Sequence, residues 1–166
     1  MDASVRSFRA DEWSLYRELR LTALRDSPHA FGSTLAREEA FPEWEWIDRV
    51  ANGAASPLAL PLVAECDGRA VGLAWARIAA EHPETVMLYQ FWVHSDFRRH
   101  GVGRRLVEAA VEWGRRSGAT EIVLSVALGP GSAIDFYRRL GFEVTGEPVP
   151  LRPGSEELQQ RMRRAL

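Results

Sequence analysis

Phe91-Trp92-Val93-His94-Ser95-Asp96-Phe97-Arg98-Arg99-His100-Gly101-Val102-Gly103-Arg104-Arg105-Leu106-Val107-Glu108-Ala109-Ala110-Val111-Glu112-Trp113-Gly114-Arg115-Arg116-Ser117 reads as a strand end, a tight glycine turn and an amphipathic helix. Gly101 and Gly103 stand one residue apart at the helix entry, where glycine admits positive φ or the close approach of a ligand. Several N–H groups there have no partner within the helix and lie at the positive end of its dipole. That geometry suits a phosphate. Turns of this kind also simply join strands to helices, so the surrounding chain decides the meaning.

Working outward, Leu62 to Cys66, Asp67-Gly68 and Ala70 to Ile78 predict a hairpin, since Asp-Gly between apolar runs favours a type I′ turn. Thr85 to Val93, rich in β-branched and aromatic residues, predicts a third strand leading into the glycine turn. In the helix that follows, Val102, Leu106, Ala109 and Trp113 form an apolar stripe, and Gly118 marks its end. Glu121 to Ala127 predicts a strand buried on both faces. Gly129-Pro130-Gly131 turns the chain, and Ser132 with Asp135 reads as a variant capping box opening a helix from Ala133 to Leu140. Gly141 ends that helix, and Phe142 to Thr145 begins another strand. The tail from Gly154 reads as a short Arg-rich helix or a frayed end.

Toward the N-terminus, Ser4 to Arg9 predicts a strand, and Asp11 an N-cap for a helix through Trp13, Tyr16, Leu19 and Ala23 that ends at Ser27-Pro28. His29 to Arg37 shows no clear pattern. A second helix is expected over Glu43 to Ala51, with Pro42 near its first turn and a loop from Asn52 to Pro61 after it. The order β-α-α-β-β-β-α-β-α-β predicts an α+β domain whose sheet is mixed and mainly antiparallel, flanked by helices. It contains one right-handed strand–helix–strand crossover with parallel strands. This is not a doubly wound nucleotide fold, and the turn lacks both Gly-x-Gly-x-x-Gly and a P-loop lysine.

At 166 residues the chain fits a single domain spanning 1–166. All 21 basic residues are arginine, which excludes a lysine nucleophile or Schiff base. The one cysteine, Cys66, excludes an internal disulfide and any multi-cysteine metal site, so no metal is expected. Cys66 precedes a tight turn in an apolar strand and reads as a buried structural thiol rather than an acetyl carrier. A formal net charge of −2 argues against nucleic acid, because Arg98, Arg99, Arg104, Arg105, Arg115 and Arg116 fall on several helix faces and form no basic stripe. No apolar run approaches membrane-spanning length and the N-terminus has no signal core, so the expected compartment is the cytoplasm, with no membrane partner.

Three features together resemble the GCN5-related N-acetyltransferase (GNAT) superfamily. Arg98-Arg99-His100-Gly101-Val102-Gly103 matches its Gln/Arg-x-x-Gly-x-Gly/Ala pyrophosphate loop, and Phe91-Trp92-Val93 the strand end before it. Ala133-Ile134-Asp135-Phe136-Tyr137-Arg138-Arg139-Leu140-Gly141-Phe142 is similar to its Ala-x-x-Phe-Tyr-x-x-x-Gly-Phe signature. The match covers about residues 85 to 145. It implies acetyl-CoA as cosubstrate and a primary amine as acceptor. Backbone N–H groups of Arg99, His100, Gly101, Val102, Gly103 and Arg104 would hold the CoA pyrophosphate, with cationic help from Arg98 and Arg99. A branched side chain at Gly103 would stand where the pyrophosphate approaches. Main-chain groups of Trp92 and Val93 would pair with the pantetheine arm as an added strand. Tyr137 would protonate the departing thiolate, and Ser132 would contact pantetheine or phosphate or merely cap its helix. The family commonly has Asn where this chain has Pro130, so one pantetheine contact is missing. Homodimers are common in the family, though no residue here marks an interface.

The resemblance implies direct attack by a neutral amine in a ternary complex, which requires a base or water relay to take the amine's proton. Glu65, Glu81 and His94 are candidate bases; Tyr89 and Gln90, on the central strand, are poor ones. The acceptor is expected to be a small-molecule amine. Trp44 and Trp46 beside Glu43, Glu45 and Asp48 would form an aromatic, acidic wall favouring a cation, or else an amphipathic helix with two core tryptophans. The competing reading of the whole chain is a catalytically idle acetyl-CoA-binding sensor or interaction module.

Overall fold

A computed structural model describes residues 2–166. The elements run β1 (Ala3–Ser7), α1 (Trp13–Asp26), α2 (Leu35–Glu39), α3 (Glu43–Ala55), β2 (Ala59–Cys66), β3 (Arg69–Ile78) and β4 (Thr85–Val93). A 3-10 turn (Ser95–Phe97) leads to α4 (Val102–Arg116), β5 (Glu121–Ala127), α5 (Ile134–Arg139), β6 (Glu143–Val144), β7 (Val149–Pro150) and β8 (Leu158–Ala165). They build one sheet in the order β1-β2-β3-β4-β5-β8-β6, with β7 beside β8. Among the described residues only β4 and β5 pair in parallel, joined through α4. The mixed, mainly antiparallel α+β sheet expected from the chain order is what forms.

Strand alternation sends side chains to two apolar layers. Leu62, Ala64, Val86 and Ile122 meet Val102, Leu106, Val107, Ala110 and Val111 of α4 on one face. Val63, Leu73, Trp75 and Trp92 meet Tyr16, Leu24, Trp46 and Val50 of α1 and α3 on the other. The buried face of α4 therefore runs through Val107, Ala110 and Val111, while Ala109 and Trp113 only flank it. Asp67 and Gly68 both take positive φ, at 49° and 79°, as a type I′ hairpin requires.

Several expectations are corrected. The tail is strand β8, laid antiparallel against β5 from Glu121↔Ala165 to Ala127↔Gln159, rather than a helix or a frayed end. Its period-2 pattern buries Gln160 and Met162. The N-cap of α1 is Glu12, not Asp11; the Glu12 carboxylate accepts from the Arg9 N–H at 2.7 Å and from Arg6 at 2.8 and 2.9 Å. The patternless 29–37 segment leads into α2, capped by Thr34, whose Oγ1 accepts from the Arg37 N–H. Helix α5 starts from Ala133 without a side-chain cap. Ser132 Oγ accepts only a 3.4 Å bond from Ile134 N–H, and Asp135 pairs with Arg138, so no capping box closes.

Candidate functional site

Strands β4 and β5 pair only over Thr85↔Glu121, Val86↔Ile122 and Met87↔Val123, then part. The cause lies in β4. Its register with β3 jumps from Trp75↔Tyr89 to Leu73↔Trp92, so two residues of β4, Gln90 and Phe91, face one of β3, Ala74, a β-bulge. Gln90 sits in the bulge at φ 56°, a conformation non-glycine residues seldom adopt unless the surroundings impose it. Past Met87, the β5-facing edge of β4 has no strand partner among the described residues.

The gap is a cleft of about 830 Å³. Met87 to Phe91 line one wall and Val123 to Leu128 the other, with Pro130, Ser132, Ala133 and Tyr137 closing one side. Tyr137 is buried, wedged against Phe91, Phe136 and Phe142 with ring centroids 5.0–5.7 Å away. Burial pushes its phenol well above the ordinary tyrosine range, because no nearby charge compensates the lost hydration. It keeps its proton at neutral and moderately alkaline pH.

Beyond the cleft wall, the glycine turn forms with Arg99 at φ 63° and Gly101 at φ 81°, the latter as the N-cap of α4. The first α4 bond closing on the cap runs from Arg105 N–H to Gly101 O, leaving the N–H groups of Val102, Gly103 and Arg104 ahead of it. Arg99, His100, Arg104 and Arg105 are exposed around this end. The direction expected for a side chain at Gly103 is corrected. A Cβ there would point inward, meeting Phe91 and Phe136 at 3.1 Å each, so its bareness serves packing beneath the cleft wall.

Arg98 is tied up structurally. Its Nε donates to the Val93 carbonyl (2.8 Å) and its Nη2 to Asp26 Oδ2 (2.7 Å). The same carboxylate oxygen accepts from Trp92 Nε1 (2.9 Å) and Ser27 Oγ (2.8 Å). Burial works against the Asp26 charge, yet these donors hold its carboxyl below the usual range. Asp26 thus fastens the end of α1 to the end of β4 and the head of the glycine turn. Of the residues singled out from the sequence, the structure brings Tyr137, Ser132, Pro130, Tyr89 and Gln90 into the cleft lining; Trp92, Val93 and Arg98 to Arg104 are outside it, with Gly103 packed behind the lining residue Phe91.

A second cavity, of about 350 Å³, opens on the α1–α3 side and is lined by Arg20, Ser33, Arg37, Glu38, Phe41, Arg49, Trp75, Tyr89 and Gln90. Tyr89 and Gln90 line both cavities, so the two meet at the bulge. Tyr16 donates its O–H to Gln90 Oε1, fixing the bulge side chain from below. Arg20 donates Nε and Nη2 to Glu38 at 3.0 and 2.7 Å, a two-pronged pair, both partners almost wholly buried. Burial opposes the Glu38 charge, and Arg20 more than offsets it, holding the carboxyl below the usual range.

The acceptor-side expectations fare worse. Trp44 is 63% exposed and Trp46 wholly buried, so they form neither a wall nor a pair of core tryptophans. Glu65 is bound to Arg6, Glu81 is exposed beside the β3–β4 connection, and His94 accepts from the Asp96 N–H; none lines either cavity. Cys66 is buried. The residues overlooked, Arg20, Glu38, Arg49 and Asp26, left one trace: Arg20 interrupts the apolar stripe of Tyr16, Leu19, Ala23 and Leu24.

Comparison with known proteins agrees with this architecture. The acetyltransferase (GNAT) family profile matches residues 13–142. An uncharacterized N-acetyltransferase of Methanocaldococcus jannaschii is 34% identical over 86 residues, 49% of this chain and 38% of that protein. The chain spans about two fifths of the length of the curated relatives it matches. A GNAT-family acetyltransferase of Streptococcus pneumoniae superposes with TM-score 0.79 over 99% of this chain and 100% of its own, at 19% identity. The PaiA N-acetyltransferase of Thermoplasma acidophilum, solved in complex with coenzyme A, gives 0.72 over 100% of both chains at 17% identity. These two likenesses establish the shared fold. Among the described residues no helix is long and apolar enough to cross a membrane.

Proposed function

The chain belongs to the GNAT acetyltransferase family, and on that premise we propose that it moves the acetyl group of acetyl-CoA to the primary amine of a small molecule, by direct attack with both substrates bound. The observation that carries this reading is the cleft opened by the Gln90 bulge, with Tyr137 buried in its wall and a helix N-terminus beside it. The unpartnered edge of β4 offers main-chain groups to an extended amide-bearing arm, as an added strand would use them. The N–H groups of Val102, Gly103 and Arg104, with those of Arg99, His100 and Gly101 in the turn, suit a pyrophosphate. Arg99 is free to add charge there, whereas Arg98 supports the strand end. Ser132 lines the cleft beside Pro130. A coenzyme A complex of the Thermoplasma relative favours the same donor here.

In the reaction, the amine nitrogen bonds to the acetyl carbonyl carbon, the carbon–sulfur bond breaks, and the thiolate takes a proton. Tyr137, held neutral by burial, supplies that proton. The amine must shed its own. Every carboxylate that lines the two cavities is paired with an arginine: Asp26 with Arg98, Glu157 with Arg152, and Glu38 with Arg20. His29, also in the lining, is bonded to Glu157. Carboxylates held in this way are weak bases, which leaves the amine's proton to water at the junction.

The test is thiol release from acetyl-CoA against a panel of amines, in wild type and Tyr137→Phe, with CoA affinity measured by calorimetry. The expected result is amine-dependent release that falls about a hundredfold in the variant at unchanged CoA affinity. Tight CoA binding with no release above hydrolysis for any amine would instead support an idle binding module.

A further inference from the structure

The smaller cavity carries a surplus of positive charge. Three arginines, Arg20, Arg37 and Arg49, line it against a single carboxylate, Glu38. Arg20 is 4% exposed; it spends Nε and Nη2 on Glu38, and its Nη1 is buried with no hydrogen-bond partner. Arg49 reaches the same carboxylate at 3.4 Å and Glu45, one turn back on α3, at 3.8 Å, and lies over the Phe41 ring at 5.0 Å, which fixes its guanidinium plane. Arg37 projects from α2, and among the described residues its side chain has no carboxylate partner; only its backbone N–H is bonded, to Thr34. A guanidinium whose plane is held by stacking, as in Arg49, matches a carboxylate at little cost in lost side-chain freedom. Arg37 is exposed at the mouth and Arg20 Nη1 is buried without an acceptor, so the cavity offers donors and net positive charge to an anion, and a polyamine or other multiply cationic guest would be repelled.

We propose that the acceptor is an amine that itself carries a carboxylate, in chemistry a free amino acid, its carboxylate received by Arg37 and Arg49 and its amine directed at the Tyr89–Gln90 junction. The inference rests on the acetyl-transfer reading and narrows it. The cavity, at about 350 Å³, is near the lower end for ligand sites and holds a single small acceptor. Arg20 and Glu38 form the floor: with Glu45 beside Arg49, three arginines share two carboxylates, and Arg37 is the one left without a carboxylate partner for the guest. The junction residues put the guest's amine at the only place where this cavity and the cleft share walls among the described residues. A cationic acceptor, which an acidic Trp44–Trp46 wall would have favoured, meets arginines instead.

The experiment compares each amino acid with its α-carboxamide, which keeps the amine and the shape and removes the negative charge. With saturating acetyl-CoA, the best acid is expected to exceed its amide in kcat/KM by about tenfold or more. Arg37→Ala and Arg49→Gln, each checked for a native melting transition, should bring that ratio towards one by raising KM for the acid and leaving KM for the amide in place. Equal or better turnover of amides or polyamines in the wild type would overturn the proposal, as would a preference unchanged in both folded variants. A second readout does not depend on turnover: calorimetry of N-acetyl amino acids and their amides on the CoA-loaded protein. If CoA binds and no amine is acetylated, the transfer reading fails. Tighter binding of the acid that disappears in Arg37→Ala would still establish the carboxylate site, and equal binding of acid and amide would refute it.

Discussion

Tyr137 and Glu38 show how far a single side chain depends on what surrounds it. Tyr137 is ringed by Phe91, Phe136 and Phe142, and no charge lies close enough to favour its phenolate. Its pKa is raised, so the neutral acid persists as pH climbs through the ordinary tyrosine range near about 10. The pH profile of kcat is therefore expected to show no alkaline fall assignable to a tyrosine of ordinary pKa, while kcat/KM climbs with pH up to the acceptor amine's own pKa. Profiles for two acceptors of different basicity check this, because the inflection should move with the acceptor. Glu38 belongs to the opposite class, a buried charge that persists only through its partner. Glu38→Ala strands the Arg20 guanidinium and should cost about 3–5 kcal/mol in urea unfolding. Replacing both by apolar residues of similar size, Arg20→Met with Glu38→Leu, should restore most of that. The Tyr137 signature was visible as a motif, and the role proposed for it comes from the resemblance alone. Glu38 and Arg20 were not, since their pairing joins two helices that are adjacent only after folding.

Among elements, β4 and α4 carry the site and respond to different changes. Gly103 lies on the side of α4 that faces Phe91 and Phe136, where an added Cβ stands 3.1 Å from each ring. Gly103→Val is expected to destabilise the fold by about 1–3 kcal/mol through overpacking. Affinity for CoA should fall with it as Phe91 is displaced from the cleft wall. Denaturant unfolding and CoA titration on the same preparation check both effects. At the entry of α1, Glu12 has its carboxyl lowered to about 2, first by hydrogen bonds from Arg6 and then by the Arg9 N–H, against a burial penalty. A folded pKa below the unfolded one means that this contribution is whole above the ordinary glutamate range and disappears as pH falls from about 5 towards 2. Glu12→Gln should flatten that part of the acid limb of stability, measured by melting temperature against pH. Sequence periodicity located the hairpin, β4, α4 and β5, because each has an apolar pattern of its own. It misplaced the cap of α1, because both Asp11 and Glu12 offer carboxylates and only the position of Arg6 on β1 selects the second.

At the scale of the molecule, the sheet opens where β4 carries one extra residue at its Gln90 bulge, and beyond that point β5 is paired only through its neighbour on the far side. That neighbour is β8. Truncation after Gly154 should expose the backbone edge and apolar faces of β5 and produce aggregates, detected by size-exclusion chromatography, rather than a folded monomer with a trimmed end. Leu158-Gln159-Gln160-Arg161-Met162-Arg163-Arg164-Ala165 has helix-forming composition, and its strand state comes from pairing along seven residues of β5. Tertiary pairing here overrides local preference.

By itself the sequence determined the mixed sheet, the parallel crossover, the glycine turn at a helix N-terminus and the family that these features resemble, because each is written in residues close together along the chain. The bulge at Gln90, the inward face of Gly103, the strand at the C-terminus and the arginine-lined cavity were decided by tertiary structure. Each depends on contacts between segments far apart in sequence: Trp75 with Tyr89, Gly103 with Phe136, β5 with β8, Arg20 with Glu38 and Arg49. Local pattern reports which face of a segment is apolar; only the packed chain reports which charges end up facing one another.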